Sequence, residues 1–492
     1  MELYRNYEIA RVAEFVCSGG FTRVALQFPD ELLKDSMKVV KALRQELDSS
    51  VKLYVMADTT YGSCCVDEVG AAHVGAECVI HYGHTCLSST STIPALFIFD
   101  KASISPSDCA RSLLDHGLKS GKPILVLSGL EYAHAIPEIK KMVAPDVSSI
   151  SESTSMLELL YADVCCSVVT PSETCTSANQ IGAGSQVVQE CPADESVQSY
   201  NIGGLSWKIP QGQKMEDYLV FWIGSDGPAC ANVVLTFNNC EIVRYDATEG
   251  GLVTDVSQSK KILRRRYYLV EKAKDANMIG ILVGTLGAAG YLHMIHQMRD
   301  LITQAGKKSY TFVMGRPNPA KLANFPECDV FINISCAQTA LLDSKEFLAP
   351  IITPFEAILA FDRGSQWTGA YVMEFRDLIA STPVEREQSK EARFSFIQGG
   401  YVEDLDQQDD DEVEKDEILS LVNVTEKALQ VRDEESRSVM KNTAKSGAEY
   451  FASRSYHGLD INSTDSLPGK FLAGRSGKAS GYKDEKAEIS RS

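Results

Sequence analysis

Tyr61-Gly-Ser-Cys-Cys-Val-Asp-Glu68, followed by His81-Tyr-Gly-His-Thr-Cys86, is the stretch on which the reading of the fold turns. It opens after Lys52-Leu-Tyr-Val-Met-Ala57, a run of strand composition, and ends just past Cys78-Val-Ile-His81, a second such run. A helix-length segment separates the two, so they read as neighbouring parallel strands. Both thiol clusters then fall on loops at the carboxyl ends of strands, the edge where open α/β sheets bind ligands. A helix starting near Val66 would aim its N-terminal amides at Cys64 or Cys65 and favour a thiolate there. The competing reading is that cysteines at strand ends are small core residues, because free cysteine is among the most buried residue types.

Working outward toward the N-terminus, residues 1–20 read as a short amphipathic helix, with Ile9, Val12, Ala13 and Val16 at helical spacing and Gly19-Gly20 as its stop. Arg23-Val-Ala-Leu-Gln-Phe28 is the first strand. Asp30 is placed to cap a helix running to about Leu47, with Leu32, Leu33, Met37, Val40 and Leu43 on one apolar face. In the other direction the unit recurs. Met278 to Val283 is a strand, Gly284-Thr-Leu-Gly-Ala-Ala-Gly290 a turn, Tyr291 to Ala305 a helix and Tyr310 to Met314 a strand. Asp329-Val-Phe-Ile-Asn-Ile334 then runs into Ser335-Cys336, as Ala76-Glu-Cys-Val-Ile-His81 runs toward Cys86. A blurred middle copy starts at Pro123-Ile-Leu-Val-Leu127 and takes its third strand from Tyr218-Leu-Val-Phe-Trp-Ile-Gly224.

Internal self-similarity of this kind argues for one supersecondary unit used three times. The expected fold is α/β, with three similar parallel-sheet domains at residues 1–115, 116–270 and 271–400, and an acidic, partly helical tail at 401–492. If the copies pack around one axis, their carboxyl-end loops converge, and cysteines hundreds of residues apart can share one metal.

Length and composition agree with this. A chain of 492 residues corresponds to about three domains, and 44% hydrophobic content is ample for real cores. No run of ~18 apolar residues spans a bilayer, and Met1-Glu-Leu-Tyr-Arg is not a signal pattern, so a cytoplasmic protein is expected. Fourteen cysteines are too dilute for a disulfide scaffold and read as core thiols or metal ligands. A net charge of −18 argues against nucleic acid as a partner. Much of it is local: Glu403 to Glu417 holds ten acidic residues and one lysine, the composition of a flexible linker. Beyond it, Ile418 to Asn442 reads as an exposed helix and Tyr450 to Leu459 as a short apolar segment that docks back on the body. Pro171 to Gln198, with Cys175 and Cys191, reads as a polar surface excursion, and Cys165-Cys166 as core or loop thiols. Residues 260–274 form a basic helix, read as a solvated face.

Familiar chemistries fail on their spacings. Gly284-Thr-Leu-Gly-Ala-Ala-Gly290 is not G-x-G-x-x-G and is not followed by G-K-[ST], so it is a weak nucleotide loop. No C-x-x-C pair exists, against zinc ribbons and thioredoxin chemistry, and no G-x-S-x-G occurs. His81 and His84 flank Gly83, but neither spacing matches a structural zinc set.

Tyr61-Gly-Ser-Cys-Cys-Val-Asp67, His81-Tyr-Gly-His-Thr-Cys86, Tyr132-Ala-His134, Gly284-Thr-Leu-Gly287, Gly315-Arg-Pro317 with Lys321-Leu322, and Ile351-Ile-Thr-Pro-Phe-Glu-Ala-Ile358 together resemble the diphthamide synthesis family, over about residues 20–365. The resemblance implies three α/β domains meeting at a [4Fe-4S] cluster held by three cysteines, with S-adenosylmethionine at the open iron. The implied reaction moves a 3-amino-3-carboxypropyl group to a histidine of elongation factor 2. Eukaryotic members pair two paralogous subunits. The catalytic one resembles Gly-Cys-Thr-Ser-Pro in the middle domain, where this chain reads Gly203-Gly204-Leu205-Ser206-Trp207. With the middle ligand missing, and with Ser335-Cys336-Ala-Gln-Thr-Ala-Leu-Leu-Asp-Ser344 and the acidic tail, the chain is similar to the second, accessory paralogue.

The partners this implies are the catalytic subunit, elongation factor 2 as substrate protein and a small electron-donor protein, with no membrane. A ligand set needs sulfurs converging on one cube. Cys65, Cys86 and Cys336 lie at strand carboxyl ends, and Gly204 offers nothing. Cys64 and Cys65 are neighbours expected to point apart, and Cys65, adjacent to the helix start, is the expected ligand. No catalytic residue is assigned to this chain. Its expected role is to support cluster reduction in the catalytic subunit; the alternative is a cluster-free scaffold.

Overall fold

The computed structural model describes residues 2–402 apart from 57–60, 151–157, 166, 172–197, 255, 343–345, 363, 368, 370, 381–392, 396 and 398. The readings of Cys166, Cys175, Cys191, the acidic run, the tail helix and Tyr450 to Leu459 lie outside the described residues.

Strands Arg23–Gln27, Lys52–Met56, Cys78–Tyr82 and Ala95–Ile98 pair in parallel, in the spatial order second, first, third, fourth. Strands Ile124–Ser128, Leu159–Tyr161, Leu219–Ile223 and Glu241–Asp246 form a second parallel set in the same order. Met278–Val283, Lys308–Val313, Val330–Ile334 and Ile351–Ile352 repeat it again. The central strands are buried on both faces, which is why they read as continuous apolar runs. The protein is therefore a mixed α/β structure built on parallel sheets.

The middle region departs from the other two. Between its second and third strands it inserts the antiparallel hairpin Gln198–Ile202 and Leu205–Ile209, and between its third and fourth strands the helix Pro228–Thr236. In the first and third regions that last connection is a loop, and the loops carry Cys86 and Cys336. Val168–Val169, from the middle stretch of the chain, also crosses to pair antiparallel with Ala95–Leu96 on the edge of the first sheet.

Several local expectations are corrected. The N-terminal helix is two helices, Glu2–Asn6 and Ile9–Gly19, the second burying Ile9, Val12, Ala13 and Val16. Asp30 makes no side-chain cap; it starts the short helix Asp30–Leu33, and the main helix runs separately from Ser36 to Glu46. The break rotates Met37 out to solvent while Val40 and Leu43 stay in the core. The basic helix Val256–Lys274 is not solvated all round. Arg266 points inward, 2% exposed, and grips the fully buried Glu356 through both carboxylate oxygens.

Candidate metal centre

The carboxyl ends of the first and third sheets meet at four cysteines. Ser63 to Cys65 form a turn after the second strand of the first sheet, and a turn does not alternate its side chains as a strand does. Cys64 and Cys65 therefore both reach the same pocket. Cys86 follows the third strand of that sheet, and its amide donates to the Cys64 carbonyl at 3.1 Å, tying the two loops together. Cys336 follows the third strand of the third sheet, in a turn closed by the amides of Thr339 and Ala340 on its own carbonyl.

All four thiols are buried and free, and their sulfurs lie within 4.8 Å of one another. Cys64 Sγ is 3.3 Å from Cys336 Sγ, and Cys86 Sγ is 3.6 Å from Cys65 Sγ. The structure thus brings together Cys65, Cys86 and Cys336, the three residues singled out from the sequence, and adds Cys64. Cysteines with disulfide-free sulfurs at such distances form a soft ligand set suited to iron–sulfur or zinc binding.

The surroundings hold these loops in place. Gln27, at the end of the first strand, donates from Nε2 to the Cys65 carbonyl at 2.8 Å and accepts the Asp67 amide at 2.9 Å. Buried Glu68 accepts the amides of Ser91 and Thr92, fixing the chain beyond Cys86. Arg316 donates to the Tyr61 carbonyl at 3.3 Å, linking the third region to the cysteine turn. His81 is not a ligand: its Nε2 lies 3.0 Å from the Ser63 carbonyl, and burial pushes its pKa down to about 4, so the ring is neutral and serves as a donor there.

Electrostatics differ from the sequence expectation. The helix expected from near Val66 begins at Glu68, is capped by Asp67 and runs only to His73. Cys65 gains no thiolate from it. Its pKa is pushed well above the usual thiol range, first by its hydrogen bond with Cys336, then by Cys64 and Cys86, with burial adding to this. Cys86 is raised by Cys336 in the same way. Cys336 is held well below that range by thiol donors from Cys64, Cys65 and Cys86. Thiol donors thus favour the charged form of Cys336, while the charged forms of Cys65 and Cys86 are disfavoured unless a cation compensates them.

Among the described residues the middle region contributes no sulfur, and Gly204 shows what stands at the place where one would enter. Gly203 and Gly204 are the two-residue turn of the hairpin, both at positive φ, as a tight hairpin demands. A Cβ on Gly204 would come within 2.2 Å of Leu87 Cδ1, on the residue after Cys86. Cys165 lies alongside, its amide bonded to the Gly204 carbonyl at 2.8 Å, but it is not one of the four. Beside this turn lies a small cleft lined by Ser128, Glu131, Gly203 and Asn232 of the middle region, His84 of the first and Gln338 of the third.

Residues 28–372 match the diphthamide synthesis protein family. The chain belongs to the diphthamide synthesis family. Among its relatives, 2-(3-amino-3-carboxypropyl)histidine synthase subunit 2 of Danio rerio is 35% identical, covering 98% of this chain and 92% of the relative. The protein of the same name in Gallus gallus is 38% identical over 76% of this chain and 71% of its own. The crystal structure of Dph2 from Pyrococcus horikoshii with a 4Fe-4S cluster is similar in fold at 16% identity, with a TM-score of 0.53 over 74% of this chain and 94% of that one. A second structure of that Pyrococcus horikoshii protein gives a TM-score of 0.52. In this diphthamide synthesis protein the converging thiols come from two sheets, and Cys64 joins the three expected from the sequence. Among the described residues, no helix is long and apolar enough to cross a membrane.

Proposed function

We propose that this chain holds a [4Fe-4S] cluster on Cys64, Cys65, Cys86 and Cys336. On this reading it is the accessory, electron-relaying subunit of a two-subunit enzyme acting in the cytosol. That enzyme transfers a 3-amino-3-carboxypropyl group from S-adenosylmethionine to a histidine of elongation factor 2. The observation that carries the reading is the buried, disulfide-free quartet of sulfurs within 4.8 Å. The name of the relatives, subunit 2, supports a partner subunit. The three sheets of like order support division into three copies of one domain at 1–115, 116–270 and 271–400, followed by the acidic tail.

When bound, the cluster supplies one-electron chemistry at a potential set by its ligands and surroundings. The chain's own residues decide what that chemistry serves. Four cysteine sulfurs occupy all the ligand positions such a cluster offers, leaving none for substrate. Leu87 fills the space through which a middle-region thiol would enter. Gln27 and Glu68 fix the two first-region loops, and the Cys336 turn brings the fourth sulfur from the third sheet. Such a site relays electrons to the catalytic subunit, fed by a small electron-donor protein, and does not cleave S-adenosylmethionine itself.

A second reading has its own support. Four thiolates on a single zinc ion, with bonds of about 2.3 Å, stand about 3.8 Å apart, closer to the present spacing than the corners of a larger cube. Iron and acid-labile sulfide analysis of the anaerobically purified full-length chain separates the two. Iron with equal sulfide is expected; zinc alone, or neither metal after active cluster assembly, overturns the cluster reading in favour of a structural ion or a scaffold. With the catalytic subunit present, serine in place of all four cysteines is expected to abolish turnover under a physiological reductant while the heterodimer persists.

A further inference from the structure

The Gly284-Thr-Leu-Gly287 turn looks like a phosphate loop after the strand Met278–Val283, yet it lacks the spacing of one, and the fold uses it differently. Its face is already occupied. A Cβ on Gly287 would fall within 2.3 Å of the Val66 carbonyl oxygen and 3.1 Å of Cys65 Cβ, so the turn is packed directly on the Val66 carbonyl and the Cys65 side chain. Thr285 is buried beside it, with Oγ1 3.4 Å from Cys65 Sγ. The same oxygen accepts the Gly287 amide at 3.1 Å. A hydroxyl whose lone pair is held by a backbone amide has its own proton free for the sulfur.

We propose that the Gly284–Gly287 turn sets the reduction potential of the cluster, with Thr285 as a positioning residue that donates a hydrogen bond to the Cys65 sulfur. The inference rests on the cluster reading given above. Reduction adds negative charge that spreads onto the ligand sulfurs, and a donor aimed at a sulfur stabilises that state and raises the potential. Among the described residues two other hydroxyls lie within hydrogen-bond distance of these sulfurs, but neither is oriented in this way. Thr339 Oγ1, 3.2 Å from Cys336 Sγ, shares its proton with Ser335, and Ser88 Oγ lies 3.1 Å from Cys86 Sγ without a backbone donor to orient it. Cys65 is also held independently of Thr285, because Gln27 donates to its carbonyl at 2.8 Å. Removing the hydroxyl therefore changes the sulfur's hydrogen bonding and leaves its loop in place.

The test is an EPR-monitored redox titration of the full-length, anaerobically purified chain, comparing wild type with Thr285→Val and Thr285→Ser. The expected result is a midpoint moved to more negative potential in Thr285→Val at unchanged iron and sulfide, and restored in Thr285→Ser. An unmoved midpoint in a loaded Thr285→Val chain overturns the inference alone. A wild-type chain without iron or sulfide overturns the cluster reading and this inference with it. Should Thr285→Val fail to keep its iron, resonance Raman of the wild-type chain decides. Iron–thiolate bands that shift on transfer to D2O and shift less in Thr285→Ala support the donor; bands unmoved by D2O overturn it.

Discussion

The first and third sheets and the middle sheet share one strand order, yet among the described residues only the outer two deliver thiols to the cluster of sulfurs. In the first and third regions the chain leaves the third strand into a loop, and the loop has room to turn a cysteine inward. In the middle region the chain leaves the third strand into the helix Pro228–Thr236, and the hairpin that reaches the same place arrives with a Gly-Gly turn against Leu87. The three share one topology, while the described thiols converge from two of them. The difference teaches that a missing ligand is a matter of packing as well as of residue type: no single substitution restores a sulfur at Gly204.

Four substitutions break or sharpen this contrast. The largest effect is expected at the third sheet, where Arg266→Met leaves Glu356 buried and uncompensated, at about 3–5 kcal/mol. Chemical denaturation checks it, and Arg266→Met with Glu356→Leu is expected to recover most of the loss.

Gly204→Cys tests the middle region directly. A β-carbon at positive φ and a clash with Leu87 are expected to cost about 2–4 kcal/mol without adding iron. Leu87→Ala in the same chain relieves the clash and recovers part of that loss, leaving the backbone strain.

His81 carries a pH signature confined to the first region. Its pKa falls from 6.5 when exposed to about 4 in the fold. The unfolded chain therefore takes up the proton first as pH falls, and the stability contributed by neutral His81 is full above about 6.5 and lost progressively toward about 4. The shift corresponds to at most about 3 kcal/mol. Urea melts between pH 7 and 4 are expected to show a shallower decline for His81→Gln than for wild type.

Cys336→Ser is expected to change stability least, by about 1 kcal/mol or less, because Thr339 can pair with the new hydroxyl. It is expected to lower iron content sharply. Normal iron with a lowered melting temperature would instead make Cys336 a core thiol.

Much of this was legible before the structure. Apolar runs of strand length followed by helical spacing marked the repeated unit, and Cys86 and Cys336 stood out because both follow third strands. Pairing Cys64 with Cys65 was not legible, since adjacency suggests opposite directions and only the turn geometry sends both inward. Arg266 was hidden in a run of three arginines. Its signal lay elsewhere, in Glu356, the lone carboxylate of the apolar helix Pro354–Phe361, which a core admits only with a partner. Thr285 was passed over because its loop was weighed for phosphate and not for sulfur.

On the proposed reading this chain holds a cluster closed by four of its own cysteines. EPR of the reduced, anaerobically purified full-length chain, recorded with and without S-adenosylmethionine, tests it most directly. The expected result is a [4Fe-4S] signal that S-adenosylmethionine leaves unchanged, since no iron is open to it. A signal altered by S-adenosylmethionine, or no signal from a chain that has been supplied with iron and sulfide, would contradict the claim.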